Sequence, residues 1–187
     1  MPPVFHIVAR VLCVVALVLP GASFADEANG ATDLTVAATA STAGSMFMAD
    51  KILVRKSERR LYLLRDGQVL REYKIALGLA PLGPKQREGD YKTPEGSYRL
   101  VRRNPRSDYF LSMEISYPNS ADLARARREH VKPGGAIMLH GWPNTPRKTA
   151  DYYKMADWTD GCIAVSNSDM VEIWLMTPLD TPIEILP

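Results

Sequence analysis

The chain has 187 residues, with 23 basic and 21 acidic residues and a formal net charge of +2 at pH 7. This balance lacks the strong positive charge typical of nucleic-acid-binding proteins, so we expect no nucleic-acid partner. Short basic groups such as Arg125, Arg127 and Arg128 are typical of solvated surfaces, with binding of an anionic polymer as the alternative interpretation.

The amino-terminal segment has the three-part layout of a secretory signal peptide. Residues 1–10 carry one arginine and no acidic residue, and residues 11–19 form an uninterrupted apolar run. Small residues at Ser23 and Ala25 match a cleavage site after Ala25. The apolar run is far shorter than the roughly 20 residues that a spanning helix needs, so an uncleaved membrane anchor is the less favoured alternative. We predict a signal peptide over residues 1–25 and a periplasmic or cell-envelope location.

The remaining chain predicts one linker and one domain. Residues 26–49 are rich in Ala, Thr, Ser and Gly and contain few bulky apolar side chains. Such a segment buries too little surface to offset its ordering entropy, which predicts a flexible linker. Residues 50–187 then have the usual size of a single domain with its own hydrophobic core.

Cleavage of the signal peptide also changes the cysteine count. It removes Cys13 and leaves Cys162 as the only cysteine, so no intrachain disulfide is possible. A lone thiol in an oxidising compartment is buried, pairs with another chain or is reactive. The count alone does not decide between an inert buried thiol and a reactive one.

The first half of the domain predicts a β-hairpin and a long loop. Apolar runs at residues 52–54 and 61–64 predict two strands, and Asp66-Gly67 is typical of a two-residue hairpin before a return strand over residues 69–77. Residues 78–96 are rich in Gly and Pro, which predicts a loop of a length that is usually functional or disordered.

The next segment predicts two further strands and a helix. The strands fall at residues 98–101 and 110–115, and polar and apolar side chains alternate in the second of them. Asn119 or Ser120 is expected to cap a short helix over residues 121–128.

The last segment predicts two buried strands, a second helix and a final strand. The buried strands cover residues 136–139 and 162–165, the helix covers residues 170–176, and alternation at Ile183 and Ile185 marks the final strand. The predicted fold class is therefore mostly β with short helices.

A histidine and the lone cysteine fall at the ends of the two buried strands, each beside a glycine. We predict that Cys162 is a nucleophile, because its thiolate is reactive and the His140 imidazole is a suitable base. Gly161 allows close approach of the backbone to a substrate, so the amides of Gly161 and Cys162 are candidates for binding an oxyanion.

Asp160 and a metal ion give alternative interpretations of this region. Asp160 is a candidate for orienting His140 or placing charge near the site, although aspartate in this position is more often a turn residue. Metal binding by His140 and Cys162 is disfavoured because the chain has no CxxC or HxxxH motif. We predict no metal and no cofactor.

Three motifs in order resemble those of the L,D-transpeptidase family with a YkuD-type catalytic domain. His140-Gly141 and the sequence DWTDGCIAVSN at residues 157–167 resemble its active-site signature. GDYKTPEG at residues 89–96 and Tyr117-Pro118-Asn119 are similar to two other family motifs. The resemblance covers residues 51–187 and implies a β-sandwich, a single catalytic domain in which the cysteine and histidine face one cleft.

The resemblance also implies roles for individual residues. Cys162 matches the family nucleophile and His140 its proton acceptor, with Gly141 and Gly161 as supporting residues. The common family pattern is Ser/Thr-His-Gly-Cys. Thr159 fits it, whereas Asp160 replaces the histidine and Ala164 replaces the usual Arg or Asn. A subgroup with the pattern DWTxGCIAV is more similar.

The implied reaction begins with attack by Cys162 on the third residue of a peptidoglycan stem tetrapeptide, which expels D-Ala and leaves a thioester. A neighbouring stem then gives a 3-3 crosslink, a lipoprotein lysine gives an anchored protein, and water makes the protein a carboxypeptidase or amidase. The sequence leaves the acceptor open, and we expect a monomer. A non-catalytic wall-binding module and a redox thiol protein remain alternatives from other classes, and neither accounts for the pairing of His140 with Cys162.

Overall fold

A computed structural model describes residues 47–187 of the protein. The predicted signal peptide and residues 26–46 of the predicted linker lie outside the described residues. Within residues 47–187, every helix is too short or too polar to cross a lipid bilayer.

The described part contains eight strands and three short helices, which confirms the predicted fold class. The strands are β1 (Lys51–Arg55), β2 (Arg60–Arg65), β3 (Gln68–Lys74), β4 (Gly96–Ser107), β5 (Phe110–Ile115), β6 (Met138–His140), β7 (Ile163–Ala164) and β8 (Pro182–Leu186). The helices are α1 (Ser120–Arg128), α2 (Ala150–Met155) and α3 (Asn167–Met176).

The strands form one hydrogen-bonded sheet in the order β3-β2-β1-β8-β4-β5-β6-β7. The long strand β4 joins its two halves, because its first residues pair with β8 and its later residues pair with β5. Just after β3, Ala76 and Ala164 exchange backbone hydrogen bonds of 2.8 and 2.9 Å. This contact brings the two ends of the strand order together.

The two halves of the sheet share one hydrophobic core. Alternate residues of the strands point into it, and α3 adds Met170 and Ile173. Its fully buried members include Ile52, Leu61, Leu63, Leu100, Met113, Ile115, Leu139, Ile163 and Ile183. A single cluster contains side chains from both halves of the sheet. The two halves therefore enclose this core as the two layers of a β-sandwich do.

The hairpin between β2 and β3 is confirmed. Arg65 pairs with Gln68, so the turn has two residues. Asp66 and Gly67 both have positive φ, of 50° and 76°. This is the conformation for which Asp-Gly is favoured in tight hairpins.

Several element boundaries differ from the prediction. Strand β4 extends to Ser107 because its polar residues pair with β5. Strand β6 begins at Met138, since Ala136 has a φ of 53° that interrupts an extended strand. Helix α2 was not predicted. It begins after Thr149, whose hydroxyl accepts a hydrogen bond from the Tyr152 amide, and it buries only Tyr153.

The predicted long loop is tied to the end of β1 by a buried lysine. The side chain of Lys56 is 3% exposed and forms a 2.8 Å ion pair with Glu95. Its Nζ also donates to the carbonyls of Gly83 and Thr93, at 2.7 and 3.1 Å. One ammonium group therefore fixes two distant points of the loop that borders Thr159 and Gly161.

We expect Lys56→Met to destabilise the protein by about 3 kcal/mol, because it leaves a largely buried carboxylate without its partner. Urea denaturation followed by tryptophan fluorescence measures the change. Lys51→Met is the matched control, since Lys51 and Glu184 form an ion pair whose side chains are 43% and 35% exposed. The control loss should stay below about 1 kcal/mol, and equal losses in both variants would contradict a special role for Lys56.

Candidate active site

Strands β6 and β7 bring the predicted cysteine and histidine to the same face of the sheet. They pair in parallel, with His140 opposite Ala164. Side chains two residues apart share a face of a strand, so Cys162 lies on the face to which His140 points. The Met138 amide lies 3.4 Å from the Cys162 Sγ atom and donates to it.

Both side chains line one cavity of about 500 Å³. Cys162 is half-buried at its wall, whereas His140 is only 4% exposed. The other lining residues come from the end of β4, from β5 and β6, and from the segments before β5, β6 and β7. They are Ser107, Tyr109, Ser112, Ala136, Met138, Trp158, Thr159 and Asp160. The structure therefore brings together the predicted nucleophile, the predicted base, Thr159 and Asp160.

The orientation of the His140 ring determines which of its two nitrogens is available to accept a proton. Its Nδ1 lies 2.6 Å from the carbonyl oxygen of Gly141. A carbonyl only accepts hydrogen bonds, so Nδ1 carries the proton and Nε2 keeps a free lone pair. Burial lowers the pKa of His140 to about 4, although the bond to Gly141 acts in the opposite direction. The imidazole is thus neutral at pH 7 and able to accept a proton.

Two aromatic rings hold the imidazole in place. The Tyr109 ring lies 4.6 Å from it between centroids, and the Trp158 ring lies 5.6 Å away in an edge-on arrangement. Tyr109 and Trp158 also stack at 6.1 Å. Such contacts limit rotation of the ring and exclude water from its faces.

Gly141 is needed for this arrangement because its surroundings are full. A Cβ atom there would lie 2.6 Å from Asn167 Oδ1 and 3.2 Å from the Tyr109 carbonyl. Asn167 Oδ1 also accepts a 2.8 Å hydrogen bond from the Trp142 amide. Asn167 therefore supports the segment that follows His140. It belongs to the sequence motif at residues 157–167, but the sequence did not indicate what it does.

The turn before Cys162 is fixed by Thr159. Its Oγ1 donates to the Cys162 carbonyl at 2.7 Å and accepts from the Gly161 amide at 3.2 Å. The predicted oxyanion role of the Gly161 amide thus needs correction, because that amide is already bonded. Of the predicted pair, the Cys162 amide is left as the candidate donor.

Gly161 is required by the packing of the protein itself. It has a φ of 125°, and a Cβ atom would lie 2.6 Å from the Lys92 carbonyl oxygen. Both features disfavour any residue with a side chain. The close approach that the structure shows is to the loop of residues 78–96, and the predicted approach of the Gly161 backbone to a substrate stays a prediction.

Asp160 is exposed at the edge of the cavity. It does not orient His140, because Nδ1 of that ring is held by Gly141. It does place charge near the nucleophile. Burial raises the pKa of the Cys162 thiol, and the Asp160 charge raises it further, while the Met138 amide and the Lys85 charge act in the opposite direction.

Lys85 is a charged neighbour of the site that was not predicted. It is 4% exposed, and its Nζ donates to Asp90 Oδ1 at 2.8 Å. Burial alone would raise the pKa of Asp90, but hydrogen bonds from Lys85 and from three backbone amides outweigh it and hold the pKa at about 2. The only feature of the sequence that pointed to Lys85 was its position in the predicted long loop.

Within the described residues, no three His, Cys, Asp or Glu side chains are placed to hold a metal ion.

Comparison with known proteins identifies the family. Residues 49–185 match the YkuD family, described as the L,D-transpeptidase catalytic domain. The chain is 31% identical over 169 residues to YafK of Escherichia coli (strain K12), which is provisionally named an L,D-transpeptidase, and the match covers 87% of this chain and 61% of YafK.

Two solved structures are similar in fold. The helical cell shape determining protein Pgp2 from Campylobacter jejuni matches with a TM-score of 0.55 and 29% identity, over 72% of this chain and 46% of Pgp2. An L,D-transpeptidase from Xylanimonas cellulosilytica matches with a TM-score of 0.50 and 17% identity, over 74% of this chain and 60% of the other.

The chain thus spans only about half to three fifths of the length of each of these relatives. The match to the family spans most of the chain, including Cys162 and His140. The chain belongs to the YkuD family of L,D-transpeptidase catalytic domains.

Proposed function

We propose that the protein is a cysteine acyltransferase of the bacterial cell envelope that acts on peptidoglycan stem peptides. The observation that carries the proposal is the pairing of Cys162 with His140 in one cavity, with Nδ1 of the histidine bound and Nε2 left to take a proton. A wall-binding module has no need of a neutral imidazole beside a thiol.

The first half-reaction forms a thioester. The raised pKa of Cys162 and the lowered pKa of His140 mean that the pair is neutral at rest. The thiol proton therefore moves to His140 Nε2 as Sγ attacks the carbonyl of the third stem residue. The Cys162 amide is the candidate donor to the oxyanion, and His140 returns the proton to the departing amine of D-Ala.

The second half-reaction resolves the thioester. An amine from a neighbouring stem gives a 3-3 crosslink, and an amine from an envelope protein gives an anchored protein. Water gives a hydrolytic carboxypeptidase or amidase instead. All three products arise from the same acyl-enzyme but differ in mass, so mass spectrometry of the products distinguishes them.

The test is incubation of the purified protein with muropeptide tetrapeptides, followed by mass spectrometry of protein and products. We expect release of D-Ala and a covalent adduct on Cys162, both of which disappear in Cys162→Ala. Ser57→Ala is the control, because Ser57 bonds Pro187 at an exposed turn outside the cavity, and it should retain the adduct.

Two other outcomes would support other classes of protein. Binding of peptidoglycan that Cys162→Ser leaves unchanged, with no adduct in the wild type, would favour a wall-binding module. A sulfenate on Cys162 after peroxide treatment, again with no acyl adduct, would favour a redox thiol protein.

A further inference from the structure

Among residues 47–187, Asp160 supplies the one formal charge on the wall of the active-site cavity. The remaining lining residues within the described chain are apolar, hydroxyl-bearing or aromatic, apart from the thiol of Cys162 and the neutral imidazole of His140. Lys85 is the cation that acts on Cys162, but it is buried and bonded to Asp90. The cavity therefore presents a negative charge to a bound molecule.

The carboxylate has no structural task within residues 47–187. Aspartate in a turn ordinarily accepts a hydrogen bond from a nearby amide. Here the Gly161 amide is bound by Thr159 Oγ1, and Asp160 forms no hydrogen bond or ion pair with the described residues. Turn chemistry does not account for the acidic side chain.

The same charge hinders the first half-reaction. A carboxylate beside a thiol opposes formation of the thiolate, as the effect of Asp160 on Cys162 shows. A negative charge here also repels the terminal carboxylate of a tetrapeptide donor. Any benefit of Asp160 must therefore come after the thioester has formed and D-Ala has left.

We infer that Asp160 determines acceptor specificity, by drawing the incoming primary amine to the thioester as its ammonium ion and favouring positively charged acceptor peptides. The inference rests on the proposed function. Held beside the thioester by the Asp160 carboxylate, the ammonium ion loses one proton to water and becomes a nucleophilic amine. The amine forms the C–N bond and passes its second proton to His140 Nε2. The C–S bond breaks, and the thiolate recovers that proton from His140.

The test uses three blocked tripeptides, each with one lysine amine as nucleophile, flanked by arginine, alanine or glutamate. Formation of the acyl-enzyme and its capture by each peptide are measured separately by mass spectrometry, for the wild type and for Asp160→Asn. We expect the wild type to prefer arginine over alanine over glutamate flanks. In Asp160→Asn, capture of the alanine peptide should fall about fivefold, the scale of one partly exposed ion pair, and the preference should flatten.

A second readout separates this role from a structural one. Asp160→Asn should form the acyl-enzyme faster than the wild type, because the thiol loses a neighbouring negative charge. A damaged active site would slow both steps. Asp108→Asn is the matched control, since Asp108 is an exposed carboxylate in the adjoining cavity beyond Tyr109, and it should change neither step.

Equal capture of the three peptides by the wild type, or unchanged capture in Asp160→Asn, would overturn the inference while leaving the cysteine acyltransferase intact. Absence of any acyl-enzyme in the wild type would overturn the proposed function, and the inference with it.

Discussion

Gly161→Ala is expected to destabilise the protein by about 3 kcal/mol or more and to reduce acylation of Cys162 by at least about a hundredfold. The added Cβ atom meets the Lys92 carbonyl oxygen at 2.6 Å, and the backbone φ of 125° already disfavours a side chain. Relief requires movement of the turn that carries Cys162. A displacement of about 1 Å at a reacting group costs on the order of a hundredfold in rate.

Two other glycines serve as controls that separate the effect of backbone strain from the effect of a steric clash. Gly67 also has a positive φ, of 76°, but nothing lies within 4 Å of its added Cβ. Gly67→Ala should therefore cost only about 1 kcal/mol and leave acylation unchanged. Gly135 has open space without a positive φ, so Gly135→Ala should be close to neutral.

Urea denaturation and the rate of acyl adduct formation measure all three variants. If Gly161→Ala resembled Gly67→Ala in both, the close contact with Lys92 would have no part in holding the nucleophile.

The sequence predicted those elements that local chemistry determines. The hairpin follows from Asp66-Gly67, because both positions adopt the positive φ that this dipeptide tolerates. The start of α1 follows from Asn119, whose side chain accepts hydrogen bonds from the amides of Ala121 and Asp122. The pairing of Cys162 with His140 followed from their places at the ends of two buried apolar runs.

Other features depend on residues far apart in the chain, so the sequence did not reveal them. The buried position of Lys85 depends on folding of its loop around Asp90. The requirement for Gly161 depends on Lys92 in that same loop. Helix α2 follows a segment with two prolines and shows too little apolar periodicity to distinguish it from a loop.

The buried neutral state of His140 is expected to make the protein less stable in mild acid. Its pKa falls from 6.5 to about 4 because burial disfavours the imidazolium. Between those values the unfolded chain binds a proton at this residue and the folded protein does not. The contribution of His140 to the free energy of unfolding is therefore complete above about pH 6.5. It decreases as the pH falls toward 4, by about 3 kcal/mol in total.

His140→Asn isolates this contribution, because asparagine retains an N–H that reaches the Gly141 carbonyl but does not titrate. Urea denaturation from pH 4 to 7 should show a difference between wild type and variant that changes by about 3 kcal/mol across this range. His130→Asn is the control for replacing a histidine with asparagine, since His130 is exposed. Asp90 does not interfere, because its pKa of about 2 means that its stabilisation is lost only below pH 4. Parallel curves for wild type and His140→Asn would show that His140 binds its proton equally well in the folded protein and the unfolded chain, so that burial does not hold the imidazole neutral in mild acid.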